Sequence, residues 1–378
     1  MNKTKFKDFS IFIILLLCIL FLALKPAETS AAVTEGLSLC MNTIVPSLFP
    51  FFVITSLFIK TGSTLFISRL LSPIMTPLFR VSSVGAVPFT LGLIGGYPLG
   101  AKTIAELYMD GKCSKKEAEK LLGFCCNCGP AFIIGVIGTK ILNNLSAGFM
   151  IYLIHILSAV ITGFVLRGRK NENGTKNESS LPKNITISKA ITVSVKDSVK
   201  PIFDVCGFIV FFLMVMTMLE NIGVFKLIGN LFKQLNIDSN AGIALFKGII
   251  ELSNGINGLT FIKTPAVSFI LSTIIVSWGG LSVHFQTAAV LDKARLKMSK
   301  YYLGKTIQAI ISGILSYITL TIWSEKASVF RSFQYESNST TDSPILIICI
   351  LILFLLAELI TSIKHRNKCG KCRRKMIE

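Results

Sequence analysis

Lys102 and Glu106 stand four residues apart in the stretch GLIGGYPLGAKTIAEL. On a helix that spacing puts an ammonium and a carboxylate on one face, one turn apart. In a segment embedded in lipid each charge costs roughly 2.5–3.5 kcal/mol, so such groups pair or line water. Two readings stay open. The charges neutralise each other near an aqueous surface, or they line a polar path in which Glu106 couples an ion or a proton. Just upstream, Gly95, Gly96, Tyr97 and Pro98 combine a flexible turn with a proline suited to begin a helix. A helix starting near Pro98 would aim its free N–H groups at an anionic or carbonyl-bearing group of a ligand.

A second polar cluster is ELSNGINGL, with Glu251, Ser253, Asn254 and Asn257. A carboxylate there can hold a cation, a proton or a ribose hydroxyl, and the amides can pair with donors and acceptors of a base or sugar. The alternative is a polar turn that satisfies itself. In NTIVPSLFPFF, Pro46 and Pro50 deprive the carbonyls of Asn42 and Pro46 of their helical donors. Asn42 is therefore a candidate for ion coupling, against a simple kink. FCCNCGPAF places Asn127 beside the helix break at Gly129–Pro130. Its three cysteines suggest a metal, but adjacent Cys125 and Cys126 are poor tetrahedral partners and no histidine is near. His155 falls in the middle of an apolar run, either as a proton-coupling group or as a satisfied core histidine. The tail HRNKCGKC lacks a fourth zinc ligand and reads as a basic segment on anionic lipid. No nucleophile with its base, phosphate loop or dinucleotide fingerprint is present. No catalytic residue, cofactor or metal is expected, and the chain does not read as an enzyme.

The elements that must position these groups follow from hydropathy. The chain has 378 residues, 52% apolar and 16% charged, with a mean hydropathy of +0.66. Such values belong to an all-α integral membrane protein. The net charge of +19 lies in short segments between apolar runs, where it orients helices toward the cytoplasm. Anionic lipid headgroups are its natural partner, not nucleic acid. The apolar runs after the first are 36–59, 84–109, 121–142, 147–166, 201–219, 241–262, 266–291, 302–323 and 344–363. Two amphipathic pieces, 65–79 and 224–235, lie between them. The basic N-terminus, the loops 112–120 and 293–305, the linker and the tail all belong inside by the positive-inside rule. They agree only if 84–109 enters from and returns to the cytoplasm, and 241–262 does the same from outside. The expectation is about eight transmembrane helices plus two re-entrant hairpins, with both termini cytoplasmic.

The organisation reads as an N-terminal helix and external linker (1–35, with a signal-peptide alternative) and a first repeat (36–167) holding the hairpin 84–109. A polar basic linker (168–198) leads to a second repeat (199–323) with the hairpin 241–262. An external loop (324–343), a last helix (344–363) and a basic tail (364–378) follow. Local patterns recur between the halves. FFVITSLFIKTG corresponds to FLMVMTMLENIG, GLIGGYPLG to GIIELSNGI, and CCNCGP to SWGGLS. Inverted repeats with paired Gly/Pro-interrupted segments are the signature of secondary transporters, with the site at the interruptions.

The blocks NTIVPSLFPFFV, GLIGGYPLGAKTIAELYMDGKCSKKEAEKLLGFC and GPAFIIGVIG resemble the YlbJ family of sporulation integral membrane proteins, which carries a nucleoside-recognition (Gate) domain. The resemblance implies a multi-pass membrane protein of a spore-forming bacterium and a nucleoside-transporter-like fold, without fixing a substrate. The expected solute site is Gly95, Gly96, Tyr97, Pro98, Lys102, Asn127, Glu251, Ser253 and Asn254. Ion or proton coupling is expected from Asn42, Glu106, His155 and Glu251. The solute is an unidentified small polar molecule, nucleoside-like or related, and an oligomer is left open. A membrane scaffold acting through the basic linker and tail is the alternative.

Overall fold

The computed structural model describes residues 3–168 and 186–323, and among these every regular element is helical. Helix α1 (Lys3–Leu24) is followed by α2 (Pro26–Leu39), a π-helical turn at Cys40–Ile44 and α3 (Val45–Lys60). Next come α4 (Thr64–Ile74), α5 (Ala86–Gly95), α6 (Leu99–Met109), α7 (Lys115–Cys125) and the short α8 (Pro130–Phe132), which continues as π-helix over Ile133–Ile141. Helix α9 (Leu145–Val165) closes the first half. The second half repeats the order: α10 (Ile187–Asn221), α11 (Val224–Gln234), α12 (Ser239–Ile250), α13 (Leu252–Gly258), α14 (Pro265–Trp278), α15 (Gly280–Leu291) and α16 (Ser299–Trp323).

Local chemistry sets most of these boundaries. Ser114, Asn144, Thr186 and Asp238 each cap a helix, accepting from Glu117, Ala147, Lys189 and Asn240 N–H, as short polar side chains do at N-termini. Ser114 and Glu117 have capping-box spacing, but the Glu117 carboxylate reaches the N–H of Ser82. It thereby ties α7 to the loop before α5. Gly62 (φ 75°) and Gly223 (φ 80°) end α3 and α10 at matching places.

Among the described residues five helices are long and apolar enough to cross a membrane: Lys115–Ile141, Leu145–Val165, Ile187–Asn221, Pro265–Leu291 and Ser299–Ile322. The number is seven if each of two bent pairs is one span, Ile11–Leu24 with Pro26–Ile44 and Phe66–Phe79 with Ser83–Gly95. The expected count of about eight included 344–363, outside the described residues, and the run 36–59 as one rod. That run contains the π turn at Cys40–Ile44, directly ahead of Pro46. Residues 187–198, read as linker, form the opening turns of α10, because Thr186 caps them into a helix with Ala190, Ser194 and Ser198 buried. The external loop, last helix and tail, 324–378, also lie outside the described residues.

Polarity is distributed as in lipid-embedded bundles. Leu153, Leu157, Phe203, Phe211, Ile314 and Ile318 are exposed on the outer faces of α9, α10 and α16. Ser158, Thr162, Ser198, Ser272, Thr273, Ser312 and Ser316 are buried. Their hydroxyls return to carbonyls of their own helix, as Thr162 does to Ser158 at 2.7 Å, or cross to a neighbour, as Thr273 does to Ser316 at 3.1 Å. Small and hydroxyl side chains at helix contacts are the membrane pattern, because apolar faces gain nothing by leaving lipid. Helix α14 is the hub, with Val267 through Trp278 all buried.

The halves exchange contacts reciprocally. Helix α3 lies along α10 and α9 along α16, while α7 packs on α16 and α14 on α9. Each broken helix thus leans on the closing helix of the other half.

Candidate functional site

Four helix breaks meet at the centre. The first hairpin, α5–α6, turns at Gly96 (φ 79°) and a cis Tyr97–Pro98 bond. Helix α7 stops at Cys125 and resumes at Pro130. The second hairpin, α12–α13, turns on one extended residue, Glu251. Helices α14 and α15 are separated at Gly279 (φ 89°), with Gly280 (φ 77°) also left-handed. Two successive residues in that conformation are accessible only to glycine at little strain.

The breaks pair off. A Cβ on Gly92 or Gly100 would lie 2.0 Å from the Cys125 carbonyl oxygen, so the end of α7 is clasped between the arms of the first hairpin. A Cβ on Gly280 would lie 3.1 Å from both Gly248 O and Leu252 N, so the α14–α15 break sits on the second hairpin tip. The pairs join where a Cβ on Gly279 would lie 3.4 Å from Tyr97 Cζ. The two tips therefore converge on one diglycine.

Beside this junction is a cavity of about 270 Å³ lined by Gly95, Gly96, Tyr97, Glu251, Ser253 and Gln286, with apolar walls from Phe51, Phe132, Val205 and Ile209. Glu251 is 2% exposed. Its Oε2 accepts from Asn254 N at 2.8 Å and from Asn254 Nδ2 at 3.1 Å, capping α13. Gln286 gives one amide proton to Ser282 Oγ at 3.1 Å.

Behind the cavity wall runs a buried polar chain. Asn127 Nδ2 donates to Phe124 O at 2.9 Å, and its Oδ1 accepts from Gln308 Nε2 at 2.9 Å. Gln308 Oε1 accepts from Lys305 Nζ at 2.8 Å. Lys305 Nζ also donates to Cys126 O at 3.0 Å and to the Tyr97 hydroxyl. The Tyr97 hydroxyl passes its own proton to Val276 O at 3.0 Å. His155 Nε2 accepts the N–H of Cys128, left over from the break, at 3.0 Å. Its Nδ1 lies 3.0 Å from Ser277 Oγ. A ring that accepts at Nε2 carries its proton on Nδ1, so His155 is the neutral tautomer donating to Ser277.

The residues singled out in sequence thus separate. Gly95, Gly96, Tyr97, Glu251 and Ser253 share the cavity. Pro98 does not line it and is the cap residue of α6, whose first helical residue is Leu99. Asn127 and His155 are fully buried and bonded within the protein. Lys102 and Glu106 are 4.0 Å apart. They line a separate charged vestibule of about 1010 Å³ with Lys60, Asp197, Lys200 and Lys293. Lys102 there also donates to Asp197 O at 3.3 Å. Asn42 and Asn254 line a polar groove of about 320 Å³ with Glu35, Ser38 and Asn257. That groove shares Thr43 and Ser253 with the cavity. Among the described residues no group of His, Cys, Asp and Glu is placed for a metal.

Lys305, Gln308 and Gln286 are part of this polar assembly and are not among the sequence-predicted site residues. Lys305 ends the basic segment 293–305, a loop by sequence, yet it is fully buried in α16. Its signal was a polar stripe at helical spacing, Lys305, Gln308, Ser312 and Ser316, within an apolar run. Gln286 had no comparable local signal.

Fold and site together define an integral membrane protein of two helical halves whose broken helices enclose a small cavity. Residues 41–166 match the family model described as Gate, nucleoside recognition, and this segment corresponds to the first half from the π turn through α9. The chain is 26% identical over 349 residues to the sporulation integral membrane protein YlbJ of Bacillus subtilis (strain 168), covering 83% of this chain and 84% of that protein. No solved structure matches. The resemblance carried by the sequence motifs therefore extends along most of the chain.

Proposed function

We propose that the protein is a carrier-like membrane protein of spore formation that holds a small solute between its two hairpin tips. The observation that supports this most is the single cavity bordered by both hairpin turns and both broken helices. At about 270 Å³ it is near the lower end of small-molecule pockets. Its walls are largely apolar and aromatic, with Thr43, Lys140, Glu251, Ser253 and Gln286 as the polar lining. That lining suits a solute with a flat or apolar body and a few hydrogen-bonding groups, nucleoside-like or related.

In this reading the hairpins 84–109 and 241–262 are re-entrant from opposite sides. About eight helices cross, counting 344–363, and both termini are cytoplasmic. The charged vestibule around Lys102 and Glu106 is then the cytoplasmic mouth. The polar groove around Asn42 and Asn254 is the opposite one, and its shared residues make it the mouth nearer the cavity. The name of the Bacillus subtilis relative supports a place in sporulation. Uptake of labelled nucleosides and other small solutes into proteoliposomes tests the reading. Saturable uptake should fall about tenfold in Gln286→Ala, which removes a hydrogen-bonding edge. If no solute binds or moves, and deletion of 369–378 alone abolishes sporulation function, the scaffold reading replaces it.

A further inference from the structure

Lys305 is fully buried and belongs to none of the ion pairs among the described residues. Its surroundings nevertheless fix its state. The Cys126 carbonyl can only accept. Asn127 donates to Phe124 O, so its oxygen faces Gln308 and the Gln308 oxygen must face Lys305. The Tyr97 hydroxyl spends its proton on Val276 O, so toward Lys305 it also accepts. Three acceptors around one nitrogen require three donors, and only the ammonium has them.

Those three oxygens come from three separate places: the tip of the first hairpin, the frayed end of α7, and α16 itself. A backbone carbonyl released by a helix break, a side-chain amide and a hydroxyl form the type of shell that binds a bare monovalent cation in broken-helix membrane proteins. Here the shell is filled from within. Gly304 makes this geometry accessible, since a Cβ there would lie 1.8 Å from Gly123 O. That close approach of α16 to α7 delivers the next residue to the break.

We propose that Lys305 is a tethered cation occupying a monovalent-cation site formed by Cys126 O, Tyr97 Oη and Gln308 Oε1. Its charge, not its bulk, locks the first hairpin to the α7 break. The inference stands whether or not the neighbouring cavity carries a solute.

The cysteines flanking the site report on it, because Cys125, Cys126 and Cys128 are buried and unbridged. Full-length protein in native membranes is treated with N-ethylmaleimide at fixed pH, and alkylation of the peptide holding 125–128 is followed by mass spectrometry. Wild type should stay protected in choline, sodium or ammonium chloride alike. Lys305→Ala should be alkylated about tenfold faster or more in choline, since charge-assisted bonds are lost. Sodium or ammonium should restore most of the protection. Lys305→Met should be as reactive as Lys305→Ala and unmoved by any cation. Protection in Lys305→Met equal to wild type would reduce the residue to packing and overturn the proposal, as would failure of both cations to protect a folded Lys305→Ala. If that variant does not accumulate, Tyr97→Phe decides, because it removes one oxygen and leaves the lysine. Alkylation several-fold faster supports the site, and an unchanged rate refutes it.

Discussion

The two hairpins solve the same turning problem by different means. The first is clasped to the rest of the molecule. Its arms close around Cys125 O, and its Tyr97 reaches Val276 O and Lys305 in the opposite half. The second combines internal contacts with bonds at its first arm, Trp278 Nε1 to Ile249 O at 3.4 Å and Lys247 Nζ to Glu220 at 3.4 Å. Its arms touch through small residues, a Cβ on Gly255 lying 2.2 Å from Gly248 Cα, and its turn residue Glu251 spends its carboxylate on Asn254, three residues on. Self-contained elements move at less cost than cross-bonded ones. The comparison predicts that the tip of the first hairpin, bonded across to the other half, gives way less readily than the tip of the second, whose Glu251 carboxylate is satisfied within the hairpin.

The largest effect is expected from Gly100→Val. Its side chain would meet the Cys125 carbonyl, and overpacking against backbone costs about 3 kcal/mol or more. Thermal unfolding of the purified protein should show a large fall in midpoint or loss of folded material, with the 125–128 thiols exposed. Gly255→Val should also destabilise but leave those thiols protected, and equal exposure in both would erase the distinction. His155→Leu strands the Cys128 N–H and the Ser277 hydroxyl, a loss of about 1–3 kcal/mol, again with thiol exposure at the first hairpin. Next come Gly279→Ala and Gly280→Ala, each expected to cost roughly 1–2 kcal/mol for forcing a left-handed conformation. The first crowds Tyr97 and the second crowds Glu251 and Leu252. A reporter cysteine at Ser253 should gain reactivity in the Gly280 variant and not in the Gly279 variant. Glu251→Ala should have the smallest effect on stability, about 1 kcal/mol for a lost helix cap, read as a shift of a few degrees. A fall as large as that of Gly100→Val would show that the second hairpin is not independently held.

Much of this architecture was legible because its causes are local. Gly95–Pro98 and Gly129–Pro130 mark breaks by glycine freedom and the missing proline donor, and the breaks fall there. The correspondence of CCNCGP with SWGGLS pointed to the matching interruption at Gly279. Site membership was less legible. Glu251 and Tyr97 face the cavity, whereas Asn127 and His155, equally polar and equally near a break, are consumed by backbone groups the breaks left unpaired. Lys102 seemed tied to the hairpin tip by sequence distance, but one turn of helix carries it to another compartment.

Taken alone, the sequence determined the helical membrane class, the positions of the breaks and the doubled order of elements. Hydropathy runs, caps and helix breakers act within a few residues and need no partner. Only the tertiary structure decided which polar groups are spent and which are offered. It brought Lys305 beside Cys126 and Tyr97, 179 and 208 residues away in the chain. The physical reason is that a buried donor takes whichever acceptor the packed neighbour presents. That choice depends on the rotation and register of helices from the opposite half.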